Sequence, residues 1–418
     1  MNILLKSATV FDPKSTHHKK TVDVLIENGL ISKIDNSINC PQNCEEINLE
    51  NLTISNGWFD ASVSFGEPGY EDRETIENGI QVAAKSGFTQ IGLNSNCYPF
   101  TDSKSMVNYL KTKASGSPVT IYPIGSLTKK SEGKEIAELY DMQQAGAIAF
   151  NDYKKGIKNA NLVKIALQYT QSFGGLVMSY PNNCNISGEG IVNEGISSTH
   201  LGLKGIPALA EELQVSRDLF LLEYTGGKLH IPTISTAKSV ALIKEAKSKG
   251  LQITCSVSAD HLTITDEELK SFDANYKIAP PLRTQSDVEA LIEGLKEGTI
   301  DFITSDHDPI DIENKKLEFS NAIDGSIGLE SLFVSLQETL GLELIIEKLT
   351  TIPQTIFGLK TSTIKEGEKA NISLFTTKGT GTFTLNNILS TSTNSAYLGK
   401  KTTGKVYGTY NNGILTLA

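Results

Sequence analysis

The chain has 418 residues, 39% of them hydrophobic and 21% charged, six histidines and a formal net charge of −10. That length exceeds one average domain but suits a large α/β barrel with an appendage. The acidic balance argues against non-specific nucleic-acid binding, which needs clustered Lys and Arg, and no apolar run approaches the roughly 20 residues of a bilayer span.

In chain order, residues 3–10 and 21–26 predict strands, and Asn28-Gly29 predicts a hairpin into residues 30–34. The start shows no basic leader followed by a long apolar segment and cleavage site, which predicts a cytoplasmic location. Cys40, Cys44, Cys97, Cys184 and Cys255 lack the paired spacing of a zinc site and read as reduced thiols.

Residues 55–69, S-N-G-W-F-D-A-S-V-S-F-G-E-P-G, form a short apolar run ending in a turn. Alternation along a strand points Ser62 and Ser64 the same way, at one end of that strand. Further strands are predicted at 89–94, 119–126, 147–152, 176–181, 228–235, 252–258 and 301–306, which with 58–64 makes eight. Helical periodicity lies between them at 73–85, 132–144, 162–169, 208–222, 237–249 and 287–296, several ending at a glycine. Strand–helix alternation requires parallel strands with right-handed crossovers, and eight close a (β/α)8 TIM barrel. The tail returns to short Thr-rich strands at 370–376, 382–385, 405–410 and 414–417. Neither terminal piece can bury a core alone, so 1–55 and 359–418 are expected to pair into one small β-sandwich domain around a barrel at 56–358.

Barrel chemistry sits at the C-terminal strand ends. Those ends offer Ser62 and Ser64, Asn151-Asp152, Ser179, Thr233 and Ser305-Asp306-His307-Asp308. Asp306 reads as a general base, a metal ligand or a strand-end cap; Arg283 as a carboxylate clamp or a surface residue. His261 and His307 read first as histidines hydrogen-bonded to the backbone, and His230, within an apolar strand, as barrel packing. Two or three carboxylates without a histidine cluster make a poor zinc site.

As an ordered set, these blocks resemble the dihydroorotases of the long, multifunctional-complex type, in the amidohydrolase superfamily near allantoinases and hydantoinases. The resemblance runs through F-D-A-S-V-S-F-G-E-P-G, G-E-G-I-V-N-E-G, L-G-L-K-G-I-P-A-L-A-E-E, Y-K-I-A-P-P-L-R-T, L-I-E-G-L-K-E-G-T-I-D-F-I-T-S-D-H and I-G-L-E. It implies a metal-dependent hydrolase barrel that interconverts N-carbamoyl-aspartate and dihydroorotate with one or two zinc ions. The ligand positions it implies fall on Ser62, Ser64, Asp152, Ser179, Thr233 and Asp306, so the four histidines of that set are replaced. The substrate-carboxylate Arg falls on Gly66, the Asn positions near Ser95 and on Ala279, and the last family Ala and His on Asp308 and Ile310. Arg283, His261 and His307 persist as substrate-binding remnants, and Asp306 as the remnant catalytic base.

Losing even outer partners of a metal ligand costs 10- to 100-fold in affinity or activity, so four lost ligands predict no zinc, no activated hydroxide and no Lewis acid. The expected function is a cytoplasmic dihydroorotase-like pseudoenzyme of pyrimidine biosynthesis, with no cofactor. The resemblance implies a non-catalytic role beside aspartate carbamoyltransferase, with a homodimer also open. The alternative is an active dihydroorotase or related cyclic-amide hydrolase with an atypical zinc site, and a third reading is a small-molecule binding protein.

Overall fold

The computed structural model describes residues 2–418. Eight strands form one sheet in the order Trp58–Val63, Phe88–Leu93, Thr120–Gly125, Ala149–Phe150, Val177–Met178, Leu229–Ile231, Ile253–Ser258 and Phe302–Thr304. Every recorded pairing along it is parallel, and each predicted barrel strand coincides with one of these. A parallel bridge between Val63 and His307 closes the circle, with Ser64 N donating to His307 O at 2.7 Å. Asp60 splices the same seam: its buried carboxylate accepts Ser62 N at 3.0 Å and Ser305 N at 2.9 Å. Burial pushes that carboxyl up to about 7, against the pull of the bonds from Ser305 and Ser62.

The helices between strands are Ile76–Lys85, Lys104–Lys113, Leu139–Ala145, Ala160–Thr170, Leu209–Thr225, Ala237–Ser248 and Gln285–Lys296. Two predicted helices start late. Thr75 caps the first by accepting Asn78 N, which moves its start beyond 73. Left-handed Gly133 and the Thr128–Ile136 bridge hold 132–138 out of helical geometry. Lys104–Lys113 escapes the sequence reading, as do Leu332–Leu340, Leu342–Leu349 and Thr351–Ile356 after the last barrel strand.

The termini meet in a second eight-stranded sheet. Its path runs Ile414–Leu417, Lys401–Asn411, Ile372–Thr382, Thr53–Asn56, Asn2–Val10, Thr21–Glu27 and Leu30–Asp35, with Cys44–Ile47 also on Asn2–Val10. The strand expected at 382–385 does not form: the preceding strand ends at Thr382, and Leu385–Asn387 make a 3-10 turn capped by Thr384 and Asn387. Trp58 joins the two units, stacking on Phe333 at 4.8 Å and packing on Phe375 of the terminal sheet at 5.4 Å. Among the described residues no helix is long and apolar enough to cross a membrane.

Candidate functional site at the barrel mouth

The strand ends bring Ser62 and Asp306 together. Ser62 Oγ donates to Asp306 Oδ1 at 2.9 Å, and the Asn94 amide donates to Ser62 and Ser64 at 3.3 and 3.2 Å. The other oxygen of Asp306 faces an ammonium. Lys154 Nζ lies 3.1 Å from Asp306 Oδ2 and 3.1 Å from Asp308 Oδ2. Its side chain is only 14% exposed. Burial alone would lower the lysine pKa, yet the carboxylates, Asp306 first, hold it well above the ordinary range. The ammonium therefore stays charged, and it faces both carboxylates at the mouth.

The remaining strand-end positions turn away from this centre. Asp152 accepts Thr128 N at 2.9 Å and the Thr128 hydroxyl, so it caps the loop after the third strand. Ser179 Oγ donates at 2.6 Å to Asp218 Oδ2 on helix Leu209–Thr225, where Arg217 forks onto the opposite oxygen at 2.8 and 2.7 Å. Thr233 donates its backbone N–H to Ser256 Oγ at 3.3 Å. Two of these strand ends keep a strained backbone, with φ of +50° at Thr233 and +49° at Asp306. Such angles in non-glycine residues persist only where the surroundings over-determine them.

Arg283 is buried, with Nε and Nη1 hydrogen-bonded. Its guanidinium donates to Ser235 Oγ at 3.0 Å, Asn193 Oδ1 at 2.8 Å and Ile206 O at 3.2 Å, and approaches Glu211 Oε2 at 3.7 Å. Glu211 also accepts the backbone N–H groups of Ser235 and Thr236 at 2.9 and 3.0 Å. His261 lies between Ser258 Oγ at 2.7 Å and Pro280 O at 3.1 Å, and burial lowers its pKa to about 4. His307 Nδ1 accepts Gly328 N at 3.2 Å, which leaves the proton on Nε2; that atom has no hydrogen-bond partner among the described residues. His230 bonds Thr254 and Ser256, stacks on Phe302 at 5.0 Å, and is pulled down to about 3 by burial. Each of these rings is neutral in the native state at pH 7.

Gly66 accommodates no side chain at all. A Cβ built there would meet Tyr70 O at 1.7 Å, because the turn closes through Tyr70 N donating to Gly66 O at 2.9 Å. Ser95 donates to Asn151 O at 3.0 Å. The groups that sequence reasoning missed are Lys154, Asn94, Asp60 and the pair Glu211 and Asp218. The one available signal was Lys154 itself, two positions beyond Asp152 at a strand end, where a basic side chain needs a carboxylate.

The donor set was tested against zinc. Four of the six family-implied positions are neutral hydroxyls, Asp152 is spent on Thr128, and Asp306 faces an ammonium. Among the described residues no group of three or more His, Cys, Asp and Glu is placed to hold a metal ion. The residues present do not fit the group.

Compared with known proteins, residues 52–239 match the family described as Dihydro-orotase-like, and residues 203–415 match the Amidohydrolase family. The dihydroorotase of Geobacter metallireducens is 37% identical over 411 residues, covering 97% of this chain and 96% of that protein. The dihydroorotase of Acetivibrio thermocellus is 38% identical over 418 residues, covering 98% of each. Among solved structures, the L-hydantoinase (dihydropyrimidinase) of Arthrobacter aurescens superposes with a TM-score of 0.85 at 20% identity, over 99% of this chain and 95% of that one. That likeness concerns the fold, a TIM barrel with a β-sandwich.

Proposed function

The chain belongs to the dihydroorotase-like amidohydrolases, and from that premise we propose that it is a cytoplasmic member that has given up zinc-dependent cyclic-amide hydrolysis. In this reading the barrel is kept for association, as a non-catalytic partner of aspartate carbamoyltransferase in pyrimidine biosynthesis. The observation that carries the loss of chemistry is Lys154. Its ammonium pairs with Asp306 and Asp308, while Ser62 bonds the second oxygen of Asp306. Burial raises the Asp306 carboxyl above the ordinary carboxylate range, with Lys154 opposing, and the Lys154 ammonium is held between two carboxylates instead of facing an amide carbonyl. Arg283 in turn has Nε and Nη1 taken by Ser235, Asn193 and Ile206 O, and its Nη2 lies 3.7 Å from Glu211 Oε2, so its fork faces the protein. The partner role rests on the resemblance alone.

The test has two arms. Protein purified in the presence of zinc is expected to hold no stoichiometric metal, to turn over neither dihydroorotate nor N-carbamoyl-aspartate, and to keep its Tm in EDTA. Stoichiometric zinc with turnover that disappears in Asp306→Ala overturns the loss of chemistry. Co-purification with aspartate carbamoyltransferase from the native source tests the partner. No association, and unchanged transcarbamoylase assembly without this protein, overturns that part separately.

A further inference from the structure

The cysteines do not share one environment. Cys97 and Cys255 are buried, Cys184 is half-buried with its thiol toward Gly156 O, and Cys40 is exposed. Among the described residues only Cys40 and Cys44 bring two thiols together. They bracket the turn C-P-Q-N-C, which leads from strand Leu30–Asp35 into strand Cys44–Ile47. Cys44 N donates to Pro41 O at 3.3 Å, and Asn43 has a φ of +63°, a left-handed conformation that Asn tolerates better than most residues. The turn folds Cys40 back over Cys44. Cys40 Sγ donates to Cys44 O at 3.4 Å, and its thiol also bonds the Cys44 thiol. A disulfide holds its β-carbons about 3.5–4.5 Å apart, and an exposed turn closed by one long hydrogen bond can adjust to that spacing.

The surroundings make the two sulfurs unequal. Ile38 is buried in a small cluster with Leu4 and Leu25, and Cys44 packs against it. Asp23 pins this end of the loop: it accepts Ile38 N at 2.9 Å and pairs with Lys6, whose Nζ also donates to Ile38 O at 3.3 Å. Beyond Ile38 the chain turns outward, and Asn39, Cys40, Gln42 and Asn43 are exposed. Burial first, then Cys40, Glu27 and Glu45, push the Cys44 thiol up to about 11. Cys44 is therefore sheltered and protonated, and Cys40 is the sulfur that a reagent meets first.

We propose that Cys40 and Cys44 are a thiol pair that a low-molecular-weight disulfide oxidises to an intrachain disulfide. Cys40 gives up its proton and attacks one sulfur of the reagent. The reagent's S–S bond breaks, a mixed disulfide forms on Cys40, and a first thiolate leaves. Cys44 then gives up its proton and attacks the Cys40 sulfur; the mixed disulfide breaks, the Cys40–Cys44 bond forms, and a second thiolate leaves. The two protons end on the two departing thiols, and the two electrons lost by the pair reduce the reagent. The bond fixes the entry to strand Cys44–Ile47, which among the described residues pairs with Asn2–Leu5 and with no other strand. An exposed disulfide of this kind is readily reduced again, as a reversible mark requires. The pair belongs to the terminal sheet, so it is independent of whether the barrel mouth has lost its chemistry.

Incubation of the full-length chain with oxidised glutathione, followed by alkylation and peptide mapping by mass, tests it. Two of the five thiols are expected to disappear, with the peptide that holds Cys40 and Cys44 lighter by two hydrogens and restored by excess reduced glutathione. Cys44→Ser is expected to stop at a glutathione adduct on Cys40, and Cys40→Ser to leave Cys44 unmodified over the same time. A wild-type chain that does not react, or that keeps a glutathione adduct on Cys40 without closing, overturns the proposal. So does a bond from either residue to another cysteine or to another chain, or a Cys40→Ser variant whose Cys44 reacts as fast as wild-type Cys40. If Cys44→Ser fails to fold, the wild-type map alone decides.

Discussion

The two halves of the barrel mouth are held together in different ways. Around the first and eighth strands the side chains still converge, with Ser62, Asn94, Asp306, Asp308 and Lys154 in one bonded cluster. At the fourth, fifth and sixth strand ends only Lys154, just past the fourth strand, reaches that cluster: Asp152 caps the Thr128 loop and Ser179 serves Asp218, while Thr233 keeps only a backbone contact. What remains charged on the convergent side is balanced by a cation supplied by the protein. On the other side the carboxylates are balanced by caps and by Arg217. The difference teaches that the charge balance of a barrel mouth is settled strand end by strand end. Every buried carboxylate needs a partner, or it must take up a proton.

The strongest way to break the comparison is Lys154→Met. It leaves Asp306 and Asp308 buried without their cation, and removing one partner of a buried ion pair costs about 3–5 kcal/mol. Urea denaturation is expected to show a loss of that size, largely recovered when Asp306→Asn and Asp308→Asn are added. A cost under about 1 kcal/mol, in the range of surface pairs, would show that the cluster is not held by charge.

Asp260 is next in size. It is buried beside the cluster, one carboxylate oxygen lacks a hydrogen-bond partner, and burial followed by repulsion from Asp306 pushes its carboxyl up to about 7, with Lys154 opposing. In the unfolded chain the same group titrates near 3.9. Between those values the native state holds the proton and the unfolded state does not. The stability that Asp260 contributes is therefore fullest below about pH 4, falls as pH rises to about 7, and then levels. Asp260→Asn lacks this loss. Its stability relative to wild type is expected to improve by up to about 4 kcal/mol across that window and not beyond it, measured by denaturation at a series of pH values. A gap that is flat with pH would mean that Asp260 is ionised and satisfied.

Gly66→Ala comes third. Its Cβ would stand 1.7 Å from Tyr70 O, a backbone atom that cannot swing away. A loss of about 1–3 kcal/mol is expected, as for overpacking. The same clash means that Gly66→Arg cannot restore a carboxylate clamp on this backbone. A variant that kept full stability would mean that the turn rearranges.

The fold was legible because its signals are local. All eight barrel strands follow from apolar runs bounded by glycine and turn residues, and the terminal hairpin from Asn28-Gly29. The strand expected at 382–385 failed because Thr384 and Asn387 prefer to bond each other's backbone groups, a competition that strand propensity does not register. At the site, the substituted positions were legible only through resemblance, and their present partners were not. Lys154 meets Asp308 across 154 positions of chain, and Arg283 meets Asn193 across 90. Neither pairing leaves a periodic trace.

The smallest expected effect separates the two halves most finely. Ser62→Ala removes a bond to a carboxylate and leaves the Asn94 amide only Ser64, whereas Ser179→Ala removes one bond from Asp218, which keeps Arg217 and Gln214. Each is expected to cost about 1–3 kcal/mol, so the single values discriminate poorly. Their coupling to Lys154 discriminates well. Ser62 and Lys154 bond the same carboxylate from opposite sides, and groups sharing a partner couple by about 0.5–3 kcal/mol. Ser179 shares no partner with Lys154, so Ser179→Ala and Lys154→Met are expected to add to within about 0.5 kcal/mol. Equal coupling in the two double-mutant cycles would dissolve the distinction, because the whole mouth would then behave as one network.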